Sequence, residues 1–271
     1  MDRSVHVSRR VSRGGAEIAE IRLARPRRGN ALDEVMLGEI AEAAADLARD
    51  PALRAVLLTG EGRHFCAGAD LNWMRRGACM AEADNLRDAR HLVTALRGLS
   101  ALPMPVIAVA QGCTYGGGLG LLACADMVLA EEAATFRFSE PCLGLVPAVI
   151  GPFVVRAIGV RRARGRFLAA EAFGARAALA DGLVHEVVAA DALPERVEAL
   201  LASVAACGPE ALRGCKSLLG QLQEHDGLSE EAESTCRLIA RLRVGAEAQE
   251  GMAAFLAKRR PAWIPAVGEA A

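Results

Sequence analysis

The chain reads as an α/β protein, a body in which strands and helices alternate, followed by a tail of helices alone. Three features predict this. Short apolar runs rich in β-branched residues recur between helical stretches from Val5 to Val188. Two of these runs open into loops of small residues just where a helix can begin, around Gly68 and around Gly116, Gly117 and Gly118. From Asp191 onward only helical spacing remains. Residues 1–190 are therefore expected to form the core that carries the site, and residues 191–271 a helical region. An appendage too small to hold its own core tends to pack on another subunit, so an oligomer is expected.

Taken in order, Val5 to Arg10 and Ala16 to Leu23 alternate around Gly14-Gly15 and predict a β-hairpin. Pro26 and Gly29 mark the next segment as a loop, in which Arg25, Arg27 and Arg28 either reach an anionic ligand or form a solvated basic turn. Asp33 is placed to cap a helix with Met36, Ile40, Ala44 and Leu47 on one face. Arg54 to Thr59 is expected to be a strand, and Asp70 to cap the helix that starts at Leu71. Glu82 to Leu99 has the spacing of an amphipathic helix, and Pro105 to Ala110 that of a buried strand. Met127 to Ala130 and Thr135 to Phe138 are further strands. Pro141 disfavours a helical conformation at Glu140, which is expected to be extended. Helices are predicted in the later part of Pro147 to Gly159 and over Arg161 to Ala170, with a short strand in Gly182 to Val188. The tail should hold helices over Leu193 to Ala206, Glu210 to Leu222, Ser229 to Val244 and Ala246 to Lys258.

Composition narrows the function classes. With 271 residues, 52% of them hydrophobic, the chain can bury a sizeable core. A net charge of -1 from 32 basic and 33 acidic residues gives no general pull toward nucleic acid or an anionic membrane. The uncharged stretch between Arg97 and Asp126 is interrupted by prolines, Gln111 and the glycine cluster, so a buried strand and helix explain it better than a membrane span. No apolar secretory segment opens the sequence, and the eight cysteines form no C-x-x-C pair. They read as mostly buried thiols of a cytoplasmic protein, with neither disulfides nor a metal site expected.

The glycine bend carries the chemistry. Three consecutive glycines cost backbone entropy, a cost usually accepted where the chain turns sharply or a ligand approaches main-chain N–H groups. A helix beginning there adds unpaired donors and a positive dipole end. The loop ending at Asp70 repeats the pattern of strand, small residues and helix start. Two such loops brought together would aim amides at one point, the geometry of an oxyanion hole. The order G-G-G-L-G lacks the spacing of a dinucleotide-binding fingerprint, and Glu82 to Arg97 mixes acidic with basic residues, which weighs against a basic RNA-binding helix.

The segments FCAGADL (65–71), YGGGLGL (115–121), CAD ending at Asp126, FRFSEPCLGLVP (136–147) and FLAKRRP (255–261) together resemble the crotonase, or enoyl-CoA hydratase/isomerase, family. The resemblance implies a spiral of ββα repeats with C-terminal helices that form trimers, often paired into hexamers. It implies that the backbone N–H groups of Ala69 and Gly117 hold a thioester oxygen, with Ala67, Asp70, Leu71, Gly116 and Gly120 around the acyl-CoA. Arg25, Arg27 and Arg28 suit CoA phosphates, and Phe255 and Lys258 match positions that reach CoA on a neighbouring subunit. No separate cofactor is implied, because coenzyme A is part of the substrate.

One departure from the family pattern bears on the reaction. Hydratases of this kind place one glutamate three residues after the middle glycine and a second about twenty residues later; here the first position is Gly120 and the second Glu140. A single carboxylate suits shifting a double bond from Δ3 to Δ2, and can also activate a water for hydration. GADLNWM (68–74) and GLVPAVIGPFVVRAIG (144–159) resemble hydratases of 3-methylglutaconyl-CoA and isohexenylglutaconyl-CoA, which favours hydration. For the distal carboxylate of such a substrate, Arg75, Arg76 and Arg137 are the candidate partners. Isomerisation, or acyl-CoA binding without turnover, remains the alternative.

Overall fold

The structure is a computed structural model that describes residues 3–224 and 228–264. β1 (Val5–Val11) and β2 (Glu17–Leu23) form the hairpin, with Val5 opposite Leu23 and Val11 opposite Glu17. α1 (Glu34–Ala48) begins at Asp33, whose carboxylate accepts from the Met36 amide at 2.9 Å. Then come β3 (Ala55–Gly60), α2 (Leu71–Ala78), α3 (Glu82–Ser100) and β4 (Val106–Ala110). Two like units follow: β5 (Cys113–Tyr115) leads to α4 (Gly117–Ala123), and β6 (Met127–Glu131) with β7 (Thr135–Arg137) leads to α5 (Gly151–Ala169). β8 (Phe173–Gly174), α6 (Ala175–Asp181) and β9 (Glu186–Val188) complete the strands. The tail is α7 (Leu193–Ala206), α8 (Pro209–Glu224), α9 (Leu228–Val244) and α10 (Ala246–Leu256).

The strands form two sheets. The larger has the order β1-β2-β3-β4-β6-β9, antiparallel only at the β1–β2 hairpin; the smaller has the order β5-β7-β8. In the units β4-β5-α4 and β6-β7-α5, the first strand joins the large sheet and the second the small one, and the helix follows. This is the spiral of ββα turns that the motifs imply.

Strand alternation divides the core in two. Val106, Ala108 and Ala110 of β4 face the helices α1, α3, α4 and α5, while Ile107 and Val109 face away from them. That second face is covered by Leu193, Val197, Leu201 and Val204 of α7. Although it lies beyond residue 190, α7 is therefore part of the core layer, and the helices without a core of their own are α8 to α10. Lys216 ties α8 down through Asp126 at 2.6 Å and the Met104 carbonyl at 3.1 Å. Asp126 also accepts from the Val106 amide at 2.7 Å, so the aspartate of the CAD motif braces the start of β4.

Two local expectations are corrected, two short strands are added and one expectation holds. Glu140 is not extended but opens a 3-10 helix (Glu140–Leu143), with Pro141 in its first turn. Proline is tolerated there because the amide it lacks would have no partner anyway. β5 and β8 were not expected, being three and two residues long; runs that short show no period. α5 breaks at Gly159 (φ 76°, ψ 154°), which separates the two helices the sequence predicts there. Only Cys66 and Cys124 are buried; Cys79, Cys142, Cys207, Cys215 and Cys236 are exposed, and all eight cysteines are free thiols. Burial pushes the Cys66 thiol up to about 12, so it is a packing group and not a nucleophile.

Candidate active site

The two small-residue loops are stitched together by main-chain bonds. Phe65 donates to the Gln111 carbonyl at 2.8 Å, Cys66 to Cys113 at 3.2 Å and Tyr115 back to Cys66 at 2.9 Å. Close approach explains the glycines. A Cβ on Gly118 would lie 2.8 Å from Cys66 Cβ, and one on Gly117 2.9 Å from Leu32 Cδ1. Gly116 alone of the three has a positive φ, 47°, and its missing Cβ leaves room 3.3 Å from Glu140 Oε1.

Around Ala69 the amides of Ala67 and Asp70 are engaged. Ala67 donates to Gly29 and Asp70 to Leu32, each at 2.8 Å, while the Gly68 carbonyl accepts from Leu32. At the other loop Gly116 donates to Arg137 and Leu119 to Gly116. Among the described residues the Ala69 and Gly117 N–H groups have no acceptor. Both residues line one cavity of about 180 Å³, together with Glu140, Trp73, Leu32, Leu92 and the 146–150 loop.

Glu140 is the one carboxylate on that cavity. Its Oε2 is buried and accepts no hydrogen bond among the described residues. Burial raises its pKa above the ordinary 4.5, against a smaller opposing effect of its own backbone N–H. Gly120 lies behind the cavity wall in α4, and a Cβ there would stand 2.5 Å from Ile150 Cγ2 and 3.3 Å from Leu96 Cδ1. The space in which a side chain at 120 would start is thus filled by Ile150. Trp73 and Ile150, both wall residues of the cavity, were not singled out from the sequence. Trp73 lies in GADLNWM and Ile150 in GLVPAVIGPFVVRAIG, but their place on the cavity becomes legible only once α2, α4 and the 146–150 loop are packed together.

A second, larger groove of about 530 Å³ shares Ala69 with the first and is lined by Arg28, Ala31, Ala67, Asp70, Leu71, Asn72 and Arg75. The three basic-loop arginines part company here. Arg25 is mostly buried, bonded to the Ala31 carbonyl at 3.1 Å and paired with Asp33 and Asp70, so it braces the loops instead of reaching out to phosphate. Arg28 touches Asp70 at 3.0 Å but keeps an exposed side chain on the groove, and Arg27 is exposed. Asp70 also accepts from the Asn72 and Trp73 amides at 2.9 and 3.3 Å, capping α2. Burial opposes its ionisation, but Arg28, those amides and Arg25 outweigh it and hold the carboxyl below the usual range. Phe255 is 82% exposed, Lys258 lies just past α10, and neither lines the two cavities of this chain.

The arginines proposed for a distal carboxylate do not line the inner cavity either. Arg137 donates to the Ala170 carbonyl at 2.8 Å and to Cys142 Sγ, Arg76 is paired with Glu34, and Arg75 sits on the outer groove. Among the described residues no helix is long and apolar enough to cross a membrane, and no cluster of His, Cys, Asp and Glu is arranged to hold a metal.

Two free amides and one bare carboxylate on an apolar cavity are the equipment of an enzyme that steadies negative charge on a carbonyl oxygen while a proton moves nearby. Sequence comparison identifies the class more narrowly. The sequence profile of the family described as enoyl-CoA hydratase/isomerase matches residues 13–265, and the chain belongs to that family. It is 33% identical to the 2,3-dehydroadipyl-CoA hydratase of Escherichia coli over 243 residues, 88% of this chain and 92% of that one. Its fold matches an enoyl-CoA hydratase from Shewanella pealeana with a TM-score of 0.90 at 37% identity, covering 96% of each chain. Pseudomonas aeruginosa AtuE matches with a TM-score of 0.90 at 35% identity, over 97% of this chain and 100% of that one. At the level of that family the activity is enoyl-CoA hydratase/isomerase chemistry on an acyl-CoA substrate.

Proposed function

We propose that the chain hydrates a branched 2-enoyl-CoA of the 3-methylglutaconyl type, with Glu140 as its single acid and base. The observation that carries this reading is the unpartnered Glu140 Oε2 on the cavity that Ala69 and Gly117 share. The thioester oxygen accepts from the Ala69 and Gly117 amides, which draws electron density from Cβ. Glu140 takes a proton from water as its oxygen bonds to Cβ, and returns that proton to Cα. Each amide donor lowers the barrier by roughly 3 kcal/mol. A separate cofactor has no step to perform.

The branched acyl group is supported by the GADLNWM and GLVPAVIGPFVVRAIG segments and by the apolar walls Leu32, Leu92, Val146, Val149 and Ile150. A relative named for a dicarboxylic enoyl-CoA agrees with a substrate of that kind. The distal carboxylate of a glutaconyl group finds no cation on those walls, so its counter-charge lies beyond them. CoA would run along the outer groove past Arg28, with Arg27 beside it. Homotrimers or hexamers would bring Phe255 and Lys258 of one protomer to the CoA of the next, which accounts for the exposure of Phe255.

A second reading, Δ3-Δ2 isomerisation, is favoured by the absence of any carboxylate at Gly120. The test is incubation with 3-methylglutaconyl-CoA, crotonyl-CoA and a 3-enoyl-CoA in oxygen-labelled water. Label in the product, fastest with the branched thioester, is expected. A shifted double bond without label would replace hydration by isomerisation, and no turnover of any thioester would leave a binding protein.

A further inference from the structure

Trp73, a wall residue of the inner cavity, carries a second orphaned polar atom that the proposed reaction does not use. Trp73 Nε1 is buried and has no hydrogen-bond partner. Trp73 lines the same 180 Å³ cavity as Glu140, whose Oε2 is the other unpartnered buried atom there. One is a donor only and the other, as a carboxylate, an acceptor only. Leaving each unmet in an apolar surrounding is costly. Once a thioester oxygen takes the Ala69 and Gly117 amides, these two are the side-chain polar groups left on a wall otherwise built of Leu32, Leu92, Val149 and Ile150.

A water in such a cavity needs at least two polar partners to be held. Glu140 can accept one of its hydrogens, and nothing at Gly120 can supply a second contact, since Ile150 occupies that direction. We propose that the Trp73 indole N–H is the second contact: it donates to the oxygen of the reacting water while Glu140 accepts one of its protons. This rests on the assignment of Glu140 as the acid and base. In the step that follows, the water O–H bond breaks toward Glu140, the oxygen bonds to Cβ, and the Cα=Cβ pair moves onto the thioester carbonyl. Glu140 then delivers the proton to Cα as that carbonyl re-forms. Trp73 neither gains nor loses a proton; it fixes where the oxygen stands.

The test separates water handling from proton handling. Trp73→Phe removes the N–H, and replacement of Trp73 by benzothienylalanine removes it while keeping the shape of the ring. Two rates are measured with each: hydration of crotonyl-CoA and of 3-methylglutaconyl-CoA, and exchange of the Cα hydrogen of butyryl-CoA in deuterated water, which uses Glu140 and the amides but no added water. Hydration of both thioesters is expected to fall about tenfold, the loss of one hydrogen bond made in the transition state, with KM within about twofold and exchange unchanged. Equal loss of hydration and exchange would make Trp73 a packing residue and overturn the proposal. Loss confined to 3-methylglutaconyl-CoA would overturn it in favour of an acyl-chain contact, and unchanged hydration would overturn it outright. Glu140→Gln serves as the separate control. If it leaves hydration and exchange intact, the assignment of Glu140 fails whatever Trp73 does.

Discussion

Asp70 lines the outer groove and Glu140 the inner cavity, two spaces that share Ala69, and the chain treats the two carboxylates in opposite ways. Asp70 is saturated: two arginines and two α2 amides hold it as an anion. Glu140 keeps an unpartnered Oε2, and burial favours its neutral form. A carboxylate with four partners gives up a proton acceptor's freedom and becomes a strut for the loop that presents the Ala69 amide. A carboxylate with one oxygen left unpartnered is free to exchange a proton with whatever enters the cavity. Two carboxylates on cavities that share Ala69 thus serve structure in one case and chemistry in the other.

The sharpest way to break this comparison is to neutralise Glu140. Glu140→Gln keeps the shape and removes the base, and kcat is expected to fall about a hundredfold to ten-thousandfold while acyl-CoA affinity stays within a few fold. Loss of enoyl-thioester absorbance gives the rate, and calorimetric titration the affinity. Near-full activity in the variant would move the proton chemistry elsewhere.

The next largest effect is on the other carboxylate. Asp70→Ala strips the cap from α2 and leaves Arg25 without one of its two acidic partners in a mostly buried position. Uncapping and breaking the buried pair together should cost about 3 kcal/mol. Urea unfolding would read it as a lower midpoint at unchanged slope. If stability holds and only kcat falls, Asp70 is itself part of the chemistry and the comparison fails.

Much of this site is legible in the sequence because it is written in local chemistry. Asp33 and Asp70 announce their helices by capping, and the helix spans of the tail follow from apolar spacing alone. What sequence reading misses is set by contacts between distant segments. The roles of Arg25 and Arg28 differ only because Asp33 and Asp70 meet around Arg25, and no spacing reveals that. α7 reads as tail because its partner face, Ile107, Val109 and Leu57, lies more than eighty residues away in the chain. Gly120 reads as a missing carboxylate, while the structure makes it one half of a packing pair with Ile150.

That pair gives the third prediction. Gly120→Ala places a methyl within 2.5 Å of Ile150 Cγ2 on a helix that supports the Gly117 amide. Overpacking of this kind should cost about 1–3 kcal/mol. Ile150→Val in the same chain should recover part of it, so the two substitutions should couple in a double-mutant cycle on thermal unfolding. Additivity would mean that α4 moves freely, and that the acyl cavity is less rigid at this wall than the packing indicates.

The smallest effects concern pH, and here the two carboxylates should differ in sign. The folded chain raises the Glu140 pKa, so between the unfolded value of 4.5 and its folded value the native state binds the proton more tightly, and stability falls as pH rises. Glu140→Gln should therefore be more stable than the wild type near pH 7, with the advantage closing toward pH 4. The folded chain lowers the Asp70 pKa, so its contribution is present above 3.8 and is lost as pH falls through the folded value. Asp70→Asn should be less stable than the wild type near pH 7, with the deficit closing only in stronger acid. Melting temperatures of the three proteins across that range would test both at once. Curves that diverge at neutral pH in opposite directions and converge in acid are what a bare and a saturated carboxylate require, whereas parallel curves would mean that burial and pairing leave the two groups alike.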